Sequence, residues 1–182
     1  MRRFVLDTSV FVNPASTEGF ARNSKAAVKK LATLLKKSKA EVYISPSIYK
    51  EMSHFLDNLD ELSPYVRIKA PNLYSTYVPA AIIYSFIEDF RGRINKGLRI
   101  AEEFAKKEKA SSQDIKSLRE KYREALRTGI VDSKEDFEAV ILCKELDAAI
   151  VTADEGIVKL ARELGCEHME PSIFYKIVKE IR

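Results

Sequence analysis

Three short apolar runs, Phe4-Val5-Leu6, Glu41-Val42-Tyr43-Ile44 and Ala149-Ile150-Val151-Thr152, recur between longer stretches with helical periodicity. Runs this short, closed by polar residues, suit strands buried on both faces. Strands alternating with helices predict an α/β fold with a central parallel sheet. From Ser24 to Lys37, Ala27, Val28, Leu31, Leu34 and Leu35 share one helical face. Ser45-Pro46 is a helix start, with Ser as N-cap and Pro in the first turn. Ile48, Met52, Phe55, Leu56 and Leu59 give the helix that follows an apolar side. Pro14, Ser16 and Gly19 predict a loop, and Val66-Arg67-Ile68 an edge strand. Helices are also predicted from about Asp132 to Leu146 and from Asp154 to Leu164, the second capped at Gly165. A short strand at Glu167–Met169 and a final helix from Pro171 complete the reading.

Between Ala80 and Ala110 there is no proline, and Ile83, Phe86, Ile87, Phe90, Ile94, Leu98, Ala101 and Phe104 step by three and four. This predicts one long helix, weakened at Gly92 and Gly97. Ser111-Ser112 breaks it, and a second helix is expected from Asp114 to Arg127, ended by Gly129. Positive charge gathers here. Arg91 to Arg127 holds twelve Lys/Arg against six Asp/Glu, whereas the rest of the chain holds nineteen against twenty-one. Arg91, Arg93, Lys96 and Arg99 fall in the first helix, and Arg119, Lys121, Arg123 and Arg127 in the second. Such an asymmetry suits contact with an anionic partner. It also suits a solvated face paired with Glu102, Glu103, Glu120 and Glu124.

In open α/β sheets the reactive crevice lies beyond the carboxyl ends of the strands. Asp7 ends the first strand, and Asp154 follows the strand that closes at Thr152. Asp132 and Asp136 open a helix four residues apart, on one face. Clustered carboxylates supply the hard oxygen ligands that Mg²⁺ or Mn²⁺ requires. Each aspartate has a second, local reading. Asp7 before Thr8-Ser9 can form an Asx-turn, Asp132 or Ser133 can cap a helix with Glu135 or Asp136, and Asp154 can cap the next. Glu51, inside the second helix, is either a further ligand or a solvated residue.

His54 and His168 lack zinc-ligand spacing, and Cys143 on an apolar helix reads as core. Two cysteines without a CxxC argue against a disulfide framework and fit a reducing cytoplasm. The N-terminal apolar run is cut by Asp7, so it is not a signal peptide, and no apolar stretch approaches the roughly 20 residues of a membrane span.

The strings FVLDTSVFVNP, GIVDSKEDFEAVILCKELD and IVTADEG resemble a PIN domain. VPAAIIYSFIEDFRGRINKGLRIAEEFA, LREKYREAL and DSKEDFEAVIL are similar to the minimal protein-only, RNA-free RNase P family, and the likeness spans essentially the whole chain. The resemblance implies a PIN-like three-layer sandwich with a central parallel sheet, residues 1–79 and 129–182, and an inserted protruding helical hairpin, residues 80–128. It implies Asp7, Asp132, Asp136 and Asp154 as metal-binding catalytic residues, with Glu51 at a less certain acidic position. It further implies Mg²⁺ or Mn²⁺ as cofactor, precursor tRNA as substrate and homo-oligomers built through the hairpin. Two rival readings are a toxin-like PIN ribonuclease acting on other RNA and a non-cleaving RNA-binding partner.

Overall fold

The computed structural model describes residues 2–106, 111–126 and 133–181. The chain divides into two compact units, one formed by Met1–Tyr77 with Ser133–Arg182 and the other by Val78–Asp132.

The first unit is built on a five-stranded parallel sheet. Its strands are β1 (Arg3–Leu6), β2 (Glu41–Ile44), β3 (Arg67–Ile68), β4 (Ala149–Val151) and β5 (Glu167–Met169), in the order β3-β2-β1-β4-β5. Every neighbouring pair is parallel. The α/β class is therefore the one expected. Phe4, Val5, Leu6, Val42, Ile44, Ile150 and Val151 are all buried, which is why these strands read as unbroken apolar runs. From β1 the chain moves outward through β2 to β3, and later returns to the other side of β1 through β4 and β5. This reversal sets the switch point between β1 and β4.

The helices of this unit are α1 (Ser9–Val12), α2 (Pro14–Thr17), α3 (Ser24–Leu35), α4 (Pro46–Phe55), α7 (Lys134–Leu146), α8 (Glu155–Glu163) and α9 (Pro171–Glu180). They fall into two packed groups, α1, α2, α3 and α9 in one and α4, α7 and α8 in the other. From the first group, Phe174 of α9 meets Phe4 of β1 edge-on at 5.1 Å. From the second, α7 lies against β1 and β4. Ser45 caps α4 by accepting the Ile48 N–H at 3.3 Å, with Pro46 in the first turn, as the sequence predicts.

Residues 14–19 correct the expected loop. Asn13 accepts the Ala15 N–H at 3.0 Å and Pro14 opens α2, so Pro here starts a turn of helix and does not break the chain. Only Gly19, with φ of +71°, keeps the turn geometry foreseen for it.

The second unit holds α5 (Ala80–Ala105) and α6 (Ser112–Leu126), which pack on each other. α5 ends at Ala105 with Lys106 as its C-cap; residues 107–110, 127–132 and the two terminal residues lie outside the described set, and with them the expected helix end at Ala110, Arg127, Gly129 and Asp132. Gly97 is where the pair comes closest to a ring. A methyl group there would stand 2.6 Å from Cε2 of Tyr122. Lys121 Nζ lies 5.6 Å from the centre of the Phe104 ring. Ile83, Phe86, Ile87, Phe90, Ile94 and Leu98 leave a continuous half-exposed apolar stripe along α5. Among the described residues no helix is long and apolar enough to cross a membrane.

Candidate active site

Asp7 stands just beyond β1. Its N–H still donates to the Val151 carbonyl of β4 at 3.1 Å, so it continues the sheet's register for one residue. Its side chain is buried. Oδ1 accepts the Thr8 N–H at 2.6 Å. Oδ2 accepts the Ser9 N–H at 3.2 Å and the Thr152 hydroxyl at 2.8 Å. The Asx-turn reading of Asp7 is thus realised, together with a tie across the sheet. Burial pushes the Asp7 carboxyl above its ordinary range, and the hydrogen bonds from Ser9, Thr152 and Thr8 oppose that shift without cancelling it.

Thr152 connects two acidic positions. Besides donating to Asp7, its Oγ1 accepts the Asp154 N–H at 2.9 Å. Asp154 in turn caps α8, its Oδ1 accepting the Ile157 N–H at 3.0 Å. Ser9 Oγ lies 3.2 Å from Thr152 Oγ1 and accepts the Ala153 N–H at 2.9 Å. A compact hydroxyl network therefore fixes the chain ends of β1 and β4 where Asp7 and Asp154 emerge. On the other side, Thr8 Oγ1 donates to Glu51 Oε2 at 2.6 Å, bringing the exposed Glu51 to the residue next to Asp7.

Asp136 lies half-buried in the first turn of α7, where its N–H donates to the Ser133 capping hydroxyl at 3.1 Å. Glu138 on the same helix accepts from Ser47 of α4. Asp132 is outside the described residues. Among the described residues no three acidic, His or Cys side chains gather closely enough to hold a metal ion. The fold thus links Asp7, Asp154 and Glu51 through Thr152 and Thr8.

Sequence reasoning did not single out Thr152, Ser9 or Glu138 as parts of this site. A hydroxyl residue closing a predicted strand, two positions before an acid, is the signal Thr152 offered. His54 is exposed, its Nδ1 2.8 Å from the Lys50 carbonyl oxygen of the same helix, and His168 is half-buried with Nε2 3.3 Å from the Thr152 carbonyl oxygen. Cys143 is buried and its thiol donates to the Ala148 carbonyl. On α5 and α6, Arg91, Lys96, Arg99, Arg119, Lys121 and Arg123 are exposed and Arg93 is half-buried.

Comparison with known proteins fits this architecture. The PINc domain ribonuclease family matches residues 3–182. An RNA-free ribonuclease P from Thermococcus kodakarensis is 43% identical over 187 residues, covering 97% of this chain and 94% of its own. The RNA-free ribonuclease P of Pyrococcus furiosus is 40% identical, covering 100% and 94%. That of Alkalilimnicola ehrlichii is 40% identical, covering 100% and 98%. Among solved structures, a PilT N-terminus domain protein from Sulfolobus solfataricus is 14% identical with a TM-score of 0.45, covering 99% of this chain and 96% of its own. The chain belongs to the PIN-domain ribonucleases and, within them, to the RNA-free ribonuclease P family.

Proposed function

We propose that this protein is a metal-dependent endoribonuclease that removes the 5′ leader of precursor tRNA. The observation that carries the reading is the buried Asp7 carboxylate at the β1–β4 switch point, tied through Thr152 to Asp154, in a chain 43% identical to an RNA-free ribonuclease P along 97% of its length.

Asp7 fits a cation-binding role on its own chemistry. A carboxylate has about four acceptor positions, and three are taken by Thr8, Ser9 and Thr152. No basic side chain pairs with it among the described residues. Burial without a counter-charge favours the neutral acid, and a divalent cation brought to it reverses that preference. Asp7, Asp132, Asp136 and Asp154, with Glu51 beside Thr8, are the residues assigned to hold Mg²⁺ or Mn²⁺. A bound divalent ion supplies water activated near neutral pH and offsets charge at phosphorus. Thr8, Ser9 and Thr152 fix the direction of the Asp7 carboxylate, and the α8 cap fixes Asp154. Water attack on the phosphodiester leaves a 5′-phosphate on the tRNA and a 3′-hydroxyl on the leader.

The α5–α6 pair is assigned to the RNA body. Arg91, Arg93, Lys96, Arg99, Arg119, Lys121 and Arg123, with Arg127, offer phosphate contacts that position without reading sequence. The half-exposed stripe from Ile83 to Leu98 is assigned to a second copy of the chain, giving homo-oligomers. Two unbridged cysteines accord with a reducing cytoplasm.

The deciding experiment is cleavage of a 5′-extended precursor tRNA with and without EDTA. One cut at the mature 5′ end, abolished by EDTA and restored by Mg²⁺, is the expected result. Diffuse cutting would favour a toxin-like ribonuclease, and binding without cutting an inactive RNA-binding partner.

A further inference from the structure

A second concavity begins where the Thr152 network ends. Thr152 and Ala153 form part of its wall, and its volume is about 610 Å³. Two residues of α8, Lys159 and Arg162, line it three positions apart on one helical face. Both are exposed, and among the described residues neither makes an ion pair, whereas Arg2, Arg3, Arg67 and Lys69 each meet a glutamate. Glu155 and Glu170 also line the cleft, but each sits at a helix N-terminus, of α8 and α9, where the helix dipole favours its charge. The cations are therefore left to serve another anion.

Ser16 of α2 gives an independent sign. It lines the same cleft, is buried, and its Oγ has no hydrogen-bond partner. A buried hydroxyl left unpaired costs roughly 1–3 kcal/mol. Such a group beside two unpaired cations complements an anionic oxygen.

We propose that this cleft holds the phosphodiester backbone of single-stranded RNA adjoining the scissile bond, with Lys159 and Arg162 pairing with phosphate oxygens and Ser16 donating its hydroxyl proton. The volume is that of a small-ligand pocket, enough for a nucleotide or two of one strand. Single-strandedness selects the leader, because the mature 5′ end of a tRNA is paired in a stem. This assignment to the leader rests on the function proposed above; the preference for single-stranded RNA does not.

The test uses the full chain carrying Lys159→Ala with Arg162→Ala, and separately Ser16→Ala, a small change in a well-packed turn. Binding of a labelled single-stranded oligoribonucleotide is followed by fluorescence anisotropy over a salt series. For the double variant the slope of log affinity against log salt falls by about 1.4, the value for two phosphate contacts to a single strand. Ser16→Ala weakens binding without changing that slope. On precursor tRNAs of graded leader length, the double variant raises KM more for leaders of two or three nucleotides than for a leader of one, and no further beyond them. An unchanged salt slope overturns the proposal, as does a KM increase that is the same at every leader length. Should the wild-type protein fail to cut precursor tRNA, the functional reading falls while the oligonucleotide slope still decides the cleft.

Discussion

Thr152 donates its hydroxyl proton to Asp7 Oδ2 at 2.8 Å, joining residues 145 positions apart. Thr152 Oγ1 also accepts the Asp154 N–H, so one hydroxyl sets the spacing of two acidic positions. Thr152→Val keeps the shape and removes both bonds. It leaves the Asp154 N–H without that acceptor and the buried Asp7 with one donor fewer. The expected loss is about 1–3 kcal/mol of unfolding free energy, measured by urea titration, together with reduced cleavage. Thr152→Ser restores both. A valine variant as stable and as active as wild type would show that the hydroxyl positions nothing.

The raised pKa of Asp7 makes stability depend on pH in a defined direction. The folded state holds the Asp7 proton more tightly than the unfolded chain does. Its contribution is therefore complete below the ordinary carboxylate pKa and is lost as pH rises towards the higher folded-state value. Metal-free wild type should lose stability across that window, and Asp7→Asn should lose less. Added Mg²⁺ should raise the melting temperature of wild type, by an amount equivalent to about 2.7 kcal/mol at a hundredfold excess over Kd, and leave Asp7→Asn nearly unmoved. The variant should retain RNA binding while cleavage collapses. Equal Mg²⁺ responses in thermal melts would remove Asp7 from the metal site.

The sheet was legible because β1, β2 and β4 are buried on both sides and must be apolar throughout, and because Ser45-Pro46 encodes its helix start locally. α1 and α2 were not, since helices of four residues are too short to show a period. Asp7, Asp154 and Glu51 stood out as acids at strand ends or on a helix. Their connectors did not. Thr152 matters only because β4 pairs with β1, and Thr8 only because Glu51 of α4 comes to it; both facts are tertiary. Asp132, which the sequence reading places with the other carboxylates, lies outside the described residues.

Two glycines of α5 should respond oppositely to the same substitution. Nothing lies within 4 Å of a methyl group at Gly92, so Gly92→Ala gains about 1 kcal/mol of helix propensity. At Gly97 the new methyl meets the Tyr122 ring at 2.6 Å, and the ring must leave its place on α5. Gly97→Ala should therefore fail to stabilise the pair, and should do so once Tyr122→Ala has cleared the space. Amide hydrogen exchange confined to α5 and α6 reads this directly in a chain of two units. Equal gains at both glycines would mean that the ring does not rest there.

The apolar stripe on α5 predicts that copies of the chain associate. Phe90 is 55% exposed and Leu98 also 55%, within a row that runs from Ile83. Phe90→Glu with Leu98→Glu places charge in the middle and at the end of that row, on α5 alone. Sedimentation velocity should show the assembly shifting to smaller species, while the melting of the sheet unit is unchanged. An undisturbed mass distribution would assign the stripe to something other than a second copy.

The basic residues of α5 allow a test that separates electrostatic contact from mere surface charge. Arg91, Lys96 and Arg99 are exposed, and an RNA body brought against them releases a counterion for each phosphate they meet. Replacing all three by alanine should weaken precursor tRNA binding and lower its salt slope by about 2.7 units, the duplex value for three phosphate contacts. The change should be the same for precursors of different sequence, because phosphate contacts carry no base information. A solvated face laced with glutamates would give another result: affinity would shift slightly through net charge, and the slope would stay where it was. Measuring both quantities in one salt series therefore decides whether α5 touches RNA, independently of whether the carboxylates cut it.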